Sequence, residues 1–476
     1  MTKKGLVHYG IPLLCTLLCV AASLVDLWAF RVNDWDFSYF SVLPWNLGNG
    51  QGWHVPFHEL GAGFPFYAHH WQPFVLALVP FLTWFDSPYT LSVLHALAMG
   101  AWFFLLPLFV RQVYREAGRE DYLGAALFWQ LVLFVYTPFW GPWRYQTHIT
   151  TLVSPALFLA VLCLHRRRAV WACFWCLLVA FGQERSSVAV FSVGMYAILI
   201  LRQYRLGGGL CLASGLYFLG IVKVLFPFLR GGDAYAFSAS ISPFHDFLKK
   251  CLFLLKYLAY TFFLPLAGKR AFLTAACSLP VLGIGLVSSR ESMYAFGHHY
   301  QDVSAPFLLM AGVYGLLWLQ EQRLGHRLFS SRKLLAAGCA VLLIVSFAQC
   351  RFLHPLVHLG FVATDPRRAD YARLHEELEH LLRISEGKPL FVQSGIGPLV
   401  SLRTERYSLV GEEDLRREFA AGEHVAISPL CGTYAFPDYA SLQKGLDGNG
   451  TLELVQDSGR LRIYKGRADG VPAPAH

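Results

Sequence analysis

The sequence predicts an α-helical membrane protein that crosses the bilayer many times and carries a small α/β domain at its C-terminal end. Of its 476 residues, 55% are hydrophobic and only 15% are charged, and the mean hydropathy is +0.42. Soluble domains usually carry about 25% charged residues. Apolar stretches near the roughly 20 residues that a spanning helix needs recur along most of the chain. The composition therefore indicates a polytopic membrane protein.

The net charge of +9 is distributed in a way that argues against a nucleic-acid partner. Basic residues cluster in short loops between the apolar stretches, which is the positive-inside pattern of cytoplasmic loops. The clusters lie at 3–4, 111–119, 166–168, 202–205, 269–270 and 323–333. We therefore predict a multi-pass membrane protein whose N-terminus is cytoplasmic.

The apolar stretches can be threaded through the membrane in order. The first, 6–30, is predicted to be a retained helix, because it is too long for a signal peptide and has no A-x-A cleavage site. A long outer segment, 31–87, ends in an apolar piece at 71–85 that is short for a span and predicts an interfacial helix. Further spans are predicted near 88–110, 122–139, 146–164, 169–183, 186–204, 208–227, 246–268, 271–289, 304–321 and 333–350. This gives roughly eleven spans with the C-terminal end outside, and that end would be cytoplasmic if 71–85 also crossed.

The composition becomes polar near residue 351, which divides the chain into a membrane domain, 1–350, and a soluble domain, 351–476, predicted to be periplasmic. The segments PLFVQ, HVAIS and a LELV…LRIY pair separated by DSG are typical of strands. Apolar residues also recur at helical spacing in a charged stretch, at Tyr371, Leu374, Leu378 and Leu381. The tail is therefore predicted to be an α/β domain.

Two carboxylates follow the first predicted helix directly. Asp34 and Asp36 are two residues apart, so an extended segment would point both side chains the same way. Such a pair suits a metal ion, or one of the two could act as a general base. The alternative is a solvated loop just beyond the end of a helix.

Three further motifs lie at the same predicted outer face. GQERSS places Glu184 and Arg185 between apolar stretches, where ionisable groups are costly and often functional. GPWRYQTH places Arg144 among aromatic residues, and an arginine can grip a phosphate through two donors. ESMYAFGHHYQD contains His299, which is better suited to a phosphate or hydroxyl contact than to a zinc site. The structural alternatives are an ion pair at a helical hairpin, an interfacial anchor and an interfacial polar loop.

Several short blocks resemble a bacterial membrane-protein family called domain of unknown function 2079. The first block is D-[LF]-x-x-[FY], followed nine residues after the aspartate by W-N and then a glycine, and it matches Asp36, Phe40, Trp45, Asn46 and Gly50. The second is a histidine-x-x-proline that enters an apolar piece, and it matches His70 and Pro73. Both blocks fall within the long outer segment.

Three more blocks of this resemblance lie further along the chain. They are a glutamate-containing break at Glu184, a histidine–tyrosine pair at His299 and Tyr300 before a proline-containing span, and GPLVSLRTERY in the tail, which is similar to a P-x-[LV]-S-x-R segment. The chain departs from the family's usual glycine, acidic residue and histidine at Ser38, Arg185 and Leu399.

The family in turn resembles the GT-C glycosyltransferases, which are polytopic enzymes with an essential acidic residue in a long first outer loop. The resemblance implies a GT-C-like fold and the transfer of a sugar from a polyprenyl-phosphate or polyprenyl-pyrophosphate carrier to an acceptor on the outer face. It implies that Asp36 is the catalytic carboxylate. The expected phosphate or substrate contacts are Arg144, Arg185, His299, Glu184, Trp45, Asn46 and His70, with the two arginines facing the same cavity as Asp36.

A divalent cation is an open expectation, because some GT-C enzymes use one, and Asp34 would be its extra ligand. The acceptor is not indicated. Two alternative functions stay open at this point. One is a transporter or flippase of a lipid-linked substrate, although the polarity that transporters place at mid-membrane is sparse here. The other is a non-catalytic membrane assembly protein.

Overall fold

The fold was analysed in a computed structural model of the chain. The structure describes residues 2–53, 70–145, 147–230, 241–322, 340, 344, 347–348, 351–403, 405–409, 411–434 and 436–467, and the backbone alone at Trp35. The predicted span at 333–350 therefore lies almost entirely outside the described residues. So do His54, His58 and His69 of the predicted outer segment.

Helices account for most of the described chain, as the apolar composition predicts. In chain order they are α1 (Lys3–Trp28), α2 (Asp34–Gly48), α3 (Val79–Phe85), α4 (Tyr89–Glu116), α5 (Tyr122–Phe134), α6 (Thr137–Tyr145), α7 (Ile149–His165), α8 (Ala169–Ala180), α9 (Ser186–Leu199), α10 (Tyr204–Leu229), α11 (Phe247–Ala259), α12 (Lys269–Ala276), α13 (Leu279–Val287), α14 (Ala305–Glu321), α15 (Pro355–Thr364), α16 (Arg368–Ile384), α17 (Glu412–Arg416) and α18 (Tyr439–Asp447).

Three of these helices, α1, α4 and α10, are long and apolar enough to cross a membrane by themselves. The pairs α5–α6 and α12–α13 pass the same test together but are bent by 46° and 48°, so the described residues contain up to five such spans. Shorter apolar helices, including α7, α8 and α9, fall where other spans were predicted. The count of roughly eleven stays a prediction.

The apolar piece at 71–85 forms a 3-10 turn, Pro73–Leu78, followed by α3. At 1.5 Å per residue such a short helix falls well below the roughly 30 Å of a hydrocarbon core. The short helix is therefore as predicted, while its interfacial position stays a prediction.

The chain divides into two compact units that are discontinuous in sequence. The first consists of Met1–Val20, Tyr67–Phe74 and Leu94–Val357, and the second of Ala21–Phe66, Val75–Val93 and His358–His476. The second unit thus joins α2, from the predicted outer loop, to the C-terminal α/β region. The boundary between the predicted sequence domains, at residue 351, stays a prediction.

The C-terminal region contains a five-stranded mixed sheet. Its strands are β1 (Leu390–Val392), β2 (Arg406–Ser408), β3 (His424–Ile427), β4 (Leu452–Asp457) and β5 (Arg462–Gly466). They lie in the order β2-β1-β3-β5-β4, with β1 parallel to β2 and β3, and with β5 antiparallel to β3 and β4. The four strands predicted from apolar runs are confirmed. β2 was missed, because its three residues, RYS, form no apolar run.

Alternation along the strands builds two hydrophobic layers, one on each face of the sheet. Leu390 and Val392 pack on the layer that contains the four apolar residues of α16, so the predicted amphipathic helix is confirmed. Phe391 faces the opposite layer with Leu442 and Leu446 of α18. Successive side chains of a strand point to opposite faces, which explains this division.

Candidate functional site

The segment that carries Asp34 and Asp36 is helical and not extended, so the condition under which the two side chains would point the same way is not met. Asp34 is the first residue of α2 and Asp36 is the third. Two residues correspond to about 200° of rotation around a helix, so the two carboxylates point to different sides. Carboxylates in a first turn suit the positive end of the helix dipole, which favours a helix starting here. The two aspartates therefore have separate surroundings.

Asp34 lies in a closed polar cluster inside the second unit, which we call the Asp34 cluster. Its carboxylate pairs with the Arg406 guanidinium and accepts hydrogen bonds from the hydroxyls of Ser408 and Ser38. Its backbone N–H donates to Oγ of Ser394, just beyond β1, at 3.2 Å. Arg406 and Ser408 are alternate residues of β2, so the strand aims both side chains at the same carboxylate.

Burial dominates the electrostatics of this pair. The exposed fraction is 1% for Asp34 and 0% for Arg406, which excludes the solvated alternative for Asp34. Burial raises the pKa of the Asp34 carboxyl, while Arg406 and Ser408 oppose that shift. Removing one partner of such a pair would leave an uncompensated buried charge, so the pair ties α2 to the sheet.

Asp36 is half-buried, although Tyr39, Phe40 and Leu43 on the same side of α2 are buried. Its charge adds to burial in raising the pKa of the neighbouring Tyr39 phenol. Trp45 and Asn46 lie nine and ten residues further along the same helix, which separates them from Asp36 by roughly 14 Å along the axis. Nε1 of Trp45 donates to Oδ1 of Asp86 at 2.7 Å, and Asn46 is buried. Asp36, Trp45 and Asn46, which belong to one sequence block, therefore share a helix, but Asp36 is far from the other two along it.

The first unit brings His70 and Glu184 together as direct partners. Nδ1 of His70 and Oε1 of Glu184 are 2.8 Å apart, and the backbone N–H of Trp71 donates to Oε2 of Glu184 at 3.1 Å. Nε1 of Trp71 donates to the Tyr217 hydroxyl at 2.6 Å. Glu184 itself is 1% exposed. It therefore holds the segment before α3 against the α8–α9 turn.

Arg185 belongs to a second polar cluster of the first unit, the Arg185 cluster. Its Nη2 lies 3.5 Å from Oδ1 of Asp302 and donates to Oγ1 of Thr150 at 3.1 Å, while its Nε donates to Gln183 at 2.8 Å. Its guanidinium carbon stands 4.7 Å from the centre of the Tyr300 ring. These contacts use Nε and Nη2, and 12% of the side chain is exposed. The guanidinium is thus held in place, and the side chain as a whole is partly exposed.

Asp302, three residues before the start of α14, anchors the Arg185 cluster. It accepts hydrogen bonds from Thr150 and, at 3.0 Å, from Thr151 at the start of α7. Burial raises the pKa of the Asp302 carboxyl, although Arg185 and both threonines oppose the shift. The acid and its partners come from three chain segments, which fixes the position of Arg185.

His299 completes this cluster as a buried aromatic contact. Its ring stacks on His148, with 3.7 Å between the centroids, and lies 4.8 Å from the Tyr145 ring and 4.2 Å from the Tyr300 ring. Burial and the neighbouring cationic groups hold the pKa of His299 well below its usual range. A neutral imidazole can donate or accept a hydrogen bond, but it brings no positive charge.

Arg144 is half-buried at the end of α6, one residue before Tyr145. Tyr145 contacts His299, so the predicted residues Arg144, Arg185 and His299 all belong to one end of the first unit. Whether the arginines share a cavity with Asp36 stays a prediction.

The sequence did not single out Asp302, Thr150 or Arg406. Asp302 was the last residue of the histidine-containing motif, and its acidic character beside a span was the available signal. The arginine of the P-x-[LV]-S-x-R segment is Arg403, which donates to Ser385 at 2.9 Å instead of reaching Asp34. Within the described ranges, no three His, Cys, Asp or Glu residues are grouped to hold a metal ion.

Comparison with known proteins places the chain among membrane proteins with a GT-C fold. A family model described as "Predicted membrane protein (DUF2079)" matches residues 26–386. The crystal structure of ArnT from Cupriavidus metallidurans bound to undecaprenyl phosphate matches with a TM-score of 0.52 and 14% identity, over 96% of this chain and 99% of that one. Its apo structure matches with a TM-score of 0.49 and 12% identity over the same shares. ArnT is a GT-C glycosyltransferase. No curated protein matches the sequence.

Proposed function

The chain belongs to the DUF2079 family of predicted membrane proteins, and from this premise we propose that it is a glycosyltransferase of the bacterial inner membrane. It moves a sugar from a polyprenyl-phosphate or polyprenyl-pyrophosphate carrier to an acceptor on the outer face. The observation that carries the proposal is a likeness over nearly the whole chain to ArnT, a structure bound to undecaprenyl phosphate. A shared fold alone is a weak warrant for activity, so the proposal also draws on individual residues.

Asp36 is assigned the role of general base. The acceptor O–H or N–H gives its proton to the Asp36 carboxylate while the acceptor atom forms a bond to the anomeric carbon of the sugar. The bond between that carbon and the phosphate oxygen breaks, and its electron pair leaves with the polyprenyl phosphate. A base must be reachable by its substrate. Asp36 meets this condition better than Asp34, because it is half-buried whereas Asp34 is enclosed.

Arg185 and Arg144 are assigned to the phosphate. Negative charge builds up on the departing phosphate, and a cation already held in place stabilises it without reorganisation. Arg185 is held by Asp302, Thr150 and Gln183, yet keeps part of its side chain accessible. His299, being neutral, would contact the phosphate or a sugar hydroxyl by hydrogen bonding. Glu184 and His70 would act by ordering the segment before α3.

Trp45 and Asn46 are proposed as substrate contacts further along α2. Trp45 is partly exposed and is oriented by its hydrogen bond to Asp86, which suits an apolar wall against a sugar. Asp34 is proposed as a positioning residue, because it ties the first turn of α2, and hence Asp36, to β2.

A divalent cation at Asp34 does not fit the donor set. Both carboxylate oxygens already engage Arg406, Ser408 or Ser38, and the guanidinium would repel a metal ion. No step of the proposed reaction is therefore assigned to a metal.

The experiment that tests the function is a transfer assay with purified full-length protein and a radiolabelled polyprenyl-phosphate sugar, using cell-envelope extract as the acceptor. Consumption of the donor and labelling of the acceptor would support the enzyme. Movement of the labelled lipid across a vesicle without its consumption would indicate the flippase alternative. If neither transfer nor lipid movement is observed, the result would indicate the assembly-protein alternative.

The orientation is tested separately. We propose a cytoplasmic N-terminus and a periplasmic C-terminal domain, on the basis of the basic-loop pattern. A reporter that is active only in the periplasm, fused after Lys465, should give signal. Signal from a cytoplasm-only reporter at that junction would overturn the orientation.

A further inference from the structure

A polar cavity of about 390 Å³ opens in the first unit, away from the clusters described above. Three arginines from three separate chain segments line it, together with one carboxylate, one imidazole and one phenol. These residues are Arg167, Arg202, Arg270, Glu116, His165 and Tyr314. We call it the arginine cavity.

The arginine cavity lies at the opposite end of α7 from the Arg185 cluster. Thr150, near the start of α7, contacts Arg185, whereas His165, its last residue, lines the cavity. Fifteen residues of helix separate the two, since 165 − 150 = 15, which corresponds to roughly 22 Å. The cavity is therefore a separate site, at the end of the helices where the basic loops predict the cytoplasm.

One wall of the cavity is a chain of hydrogen bonds that runs from the exposed Glu116 to buried tyrosines. Nδ1 of His165 is 2.7 Å from Oε1 of Glu116, and its Nε2 is 2.8 Å from the Tyr196 hydroxyl. The Tyr196 hydroxyl is in turn 2.8 Å from that of Tyr314. Glu116 is thus engaged by His165, and the three guanidinium groups leave the cavity with a positive balance.

The backbone at two of the arginines has a conformation that is uncommon for residues other than glycine. Arg167 and Arg202 have φ angles of 56° and 55°, which is the left-handed conformation that favours glycine. Arg167 follows the end of α7, and the N–H of Arg168 donates to the carbonyl of Cys163 at 2.9 Å, as in a helix end that commonly carries glycine. Arginine occupies both positions, and both residues line the same cavity.

We propose that the arginine cavity binds a phosphate group, carried either by an anionic phospholipid headgroup or by a free phosphate compound. Guanidinium groups present paired N–H donors that match phosphate oxygens. Anionic lipids gather at the cytoplasmic surface, where basic residues attract them. Positive-inside loops alone would explain the presence of arginines, but not their arrival from three segments around one polar cavity.

The test measures thermal unfolding of the purified full-length protein with two probes. Sodium phosphate is added in detergent against sodium chloride at equal ionic strength, and nanodiscs of phosphatidylcholine are compared with nanodiscs that also contain phosphatidylglycerol. A ligand that binds only the folded state raises the midpoint. We expect one probe or both to raise it by a few degrees, and the Arg167→Gln/Arg202→Gln variant to weaken apparent binding on the order of tenfold or more.

Two matched variants separate binding from other effects. Arg168→Gln removes the same charge from the same loop but does not alter the cavity lining, so its response should stay that of the wild type. Arg167→Gly relieves the left-handed backbone, so it should unfold at the same or a higher temperature without the probe and respond less to it. Arg185→Gln should keep the response, so the result does not depend on the proposed sugar transfer.

Each outcome decides a point. A response to phosphate alone identifies a free phosphate compound, and a response to phosphatidylglycerol alone identifies the lipid headgroup. No response of the wild type to either probe would overturn the proposal, and that comparison holds even if the double variant fails to fold. An equal loss in Arg168→Gln and in the Arg167→Gln/Arg202→Gln variant would also overturn it, because only general charge would then be involved.

Discussion

The two sides of helix α2 place chemically identical side chains in opposite environments. Asp34 faces β2, where Arg406 and three serines surround it and 1% of the residue is exposed. Asp36, two residues later, points away from Asp34 and is itself half-buried. A carboxylate whose oxygens are already engaged can hold structure but cannot readily accept a proton from a substrate. The difference teaches that enclosure, rather than residue type, separates an anchoring acid from a candidate base.

The two buried arginine–aspartate pairs differ in the same way. Arg406 beside Asp34 has 0% of its side chain exposed, whereas Arg185 beside Asp302 keeps 12% and lies at 3.5 Å from its partner. The first pair is closed and structural. The second holds its guanidinium in place while part of the Arg185 side chain stays exposed, which suits a binding role.

The largest expected effect is on catalysis by Asp36→Asn. Loss of a positioned general base should lower the transfer rate by about a hundred- to ten-thousand-fold, while stability changes by only about half a kcal/mol. The measurement is the transfer assay alongside thermal unfolding. Asp86→Asn is the matched control, since it alters another carboxylate of the same outer segment and keeps an acceptor for Trp45. Full activity in Asp36→Asn would remove it as the base.

The Arg406→Met variant tests the enclosed Asp34–Arg406 pair. This change leaves Asp34 buried without its cation and should destabilise the fold by about 3–5 kcal/mol. Adding Asp34→Asn should restore much of the loss, because no unpaired charge then remains. Denaturant unfolding of the wild type and of these two variants measures both effects. If Arg406→Met unfolds like the wild type, the pair does not anchor α2.

Arg185→Lys tests the accessible pair. Lysine keeps the charge but loses the planar donors, so transfer should fall by roughly tenfold or more, with a smaller loss of stability than in Arg406→Met. Arg403→Lys, a substitution in the tail, is the control. Equal activity in Arg185→Lys and wild type would show that the guanidinium does not bind the leaving phosphate.

A pH effect is expected from His299. Its pKa is lowered in the fold, whereas an unfolded histidine titrates near 6.5, so acid favours the unfolded state as pH falls below about 6.5. The stability that the neutral ring contributes is present above that pH and is lost by up to about 1.4 kcal/mol per unit below it. His299→Gln should therefore lose less stability than the wild type between pH 7.5 and 5.5. An unchanged pH dependence of the unfolding midpoint would contradict a neutral, buried His299.

The smallest effect is expected from chelation. Asp34 is surrounded by donors that do not suit a metal, so EDTA should leave the transfer rate unchanged. Loss of transfer in EDTA, restored by Mg²⁺ or Mn²⁺, would reopen a metal-dependent mechanism.

Much of the architecture follows from local patterns. Within the described residues the apolar stretches form helices, and four alternating or apolar runs form strands. The repeat at Tyr371, Leu374, Leu378 and Leu381 forms the buried side of α16. These patterns work because burial of apolar surface and backbone hydrogen bonding act over neighbouring residues. β2 escaped because its sequence carries charge and hydroxyls instead of an apolar run.

The sequence by itself determined the class of the protein, the apolar segments that form its helices and the polar residues worth testing. The tertiary structure decided which of them become partners. Asp34 and Arg406 are 372 residues apart in the sequence but form an ion pair. Asp302 contacts both Arg185 and Thr150, each more than a hundred residues away in the sequence. No local pattern encodes such pairings, because the energy of a buried charge depends on the groups that the whole fold brings around it.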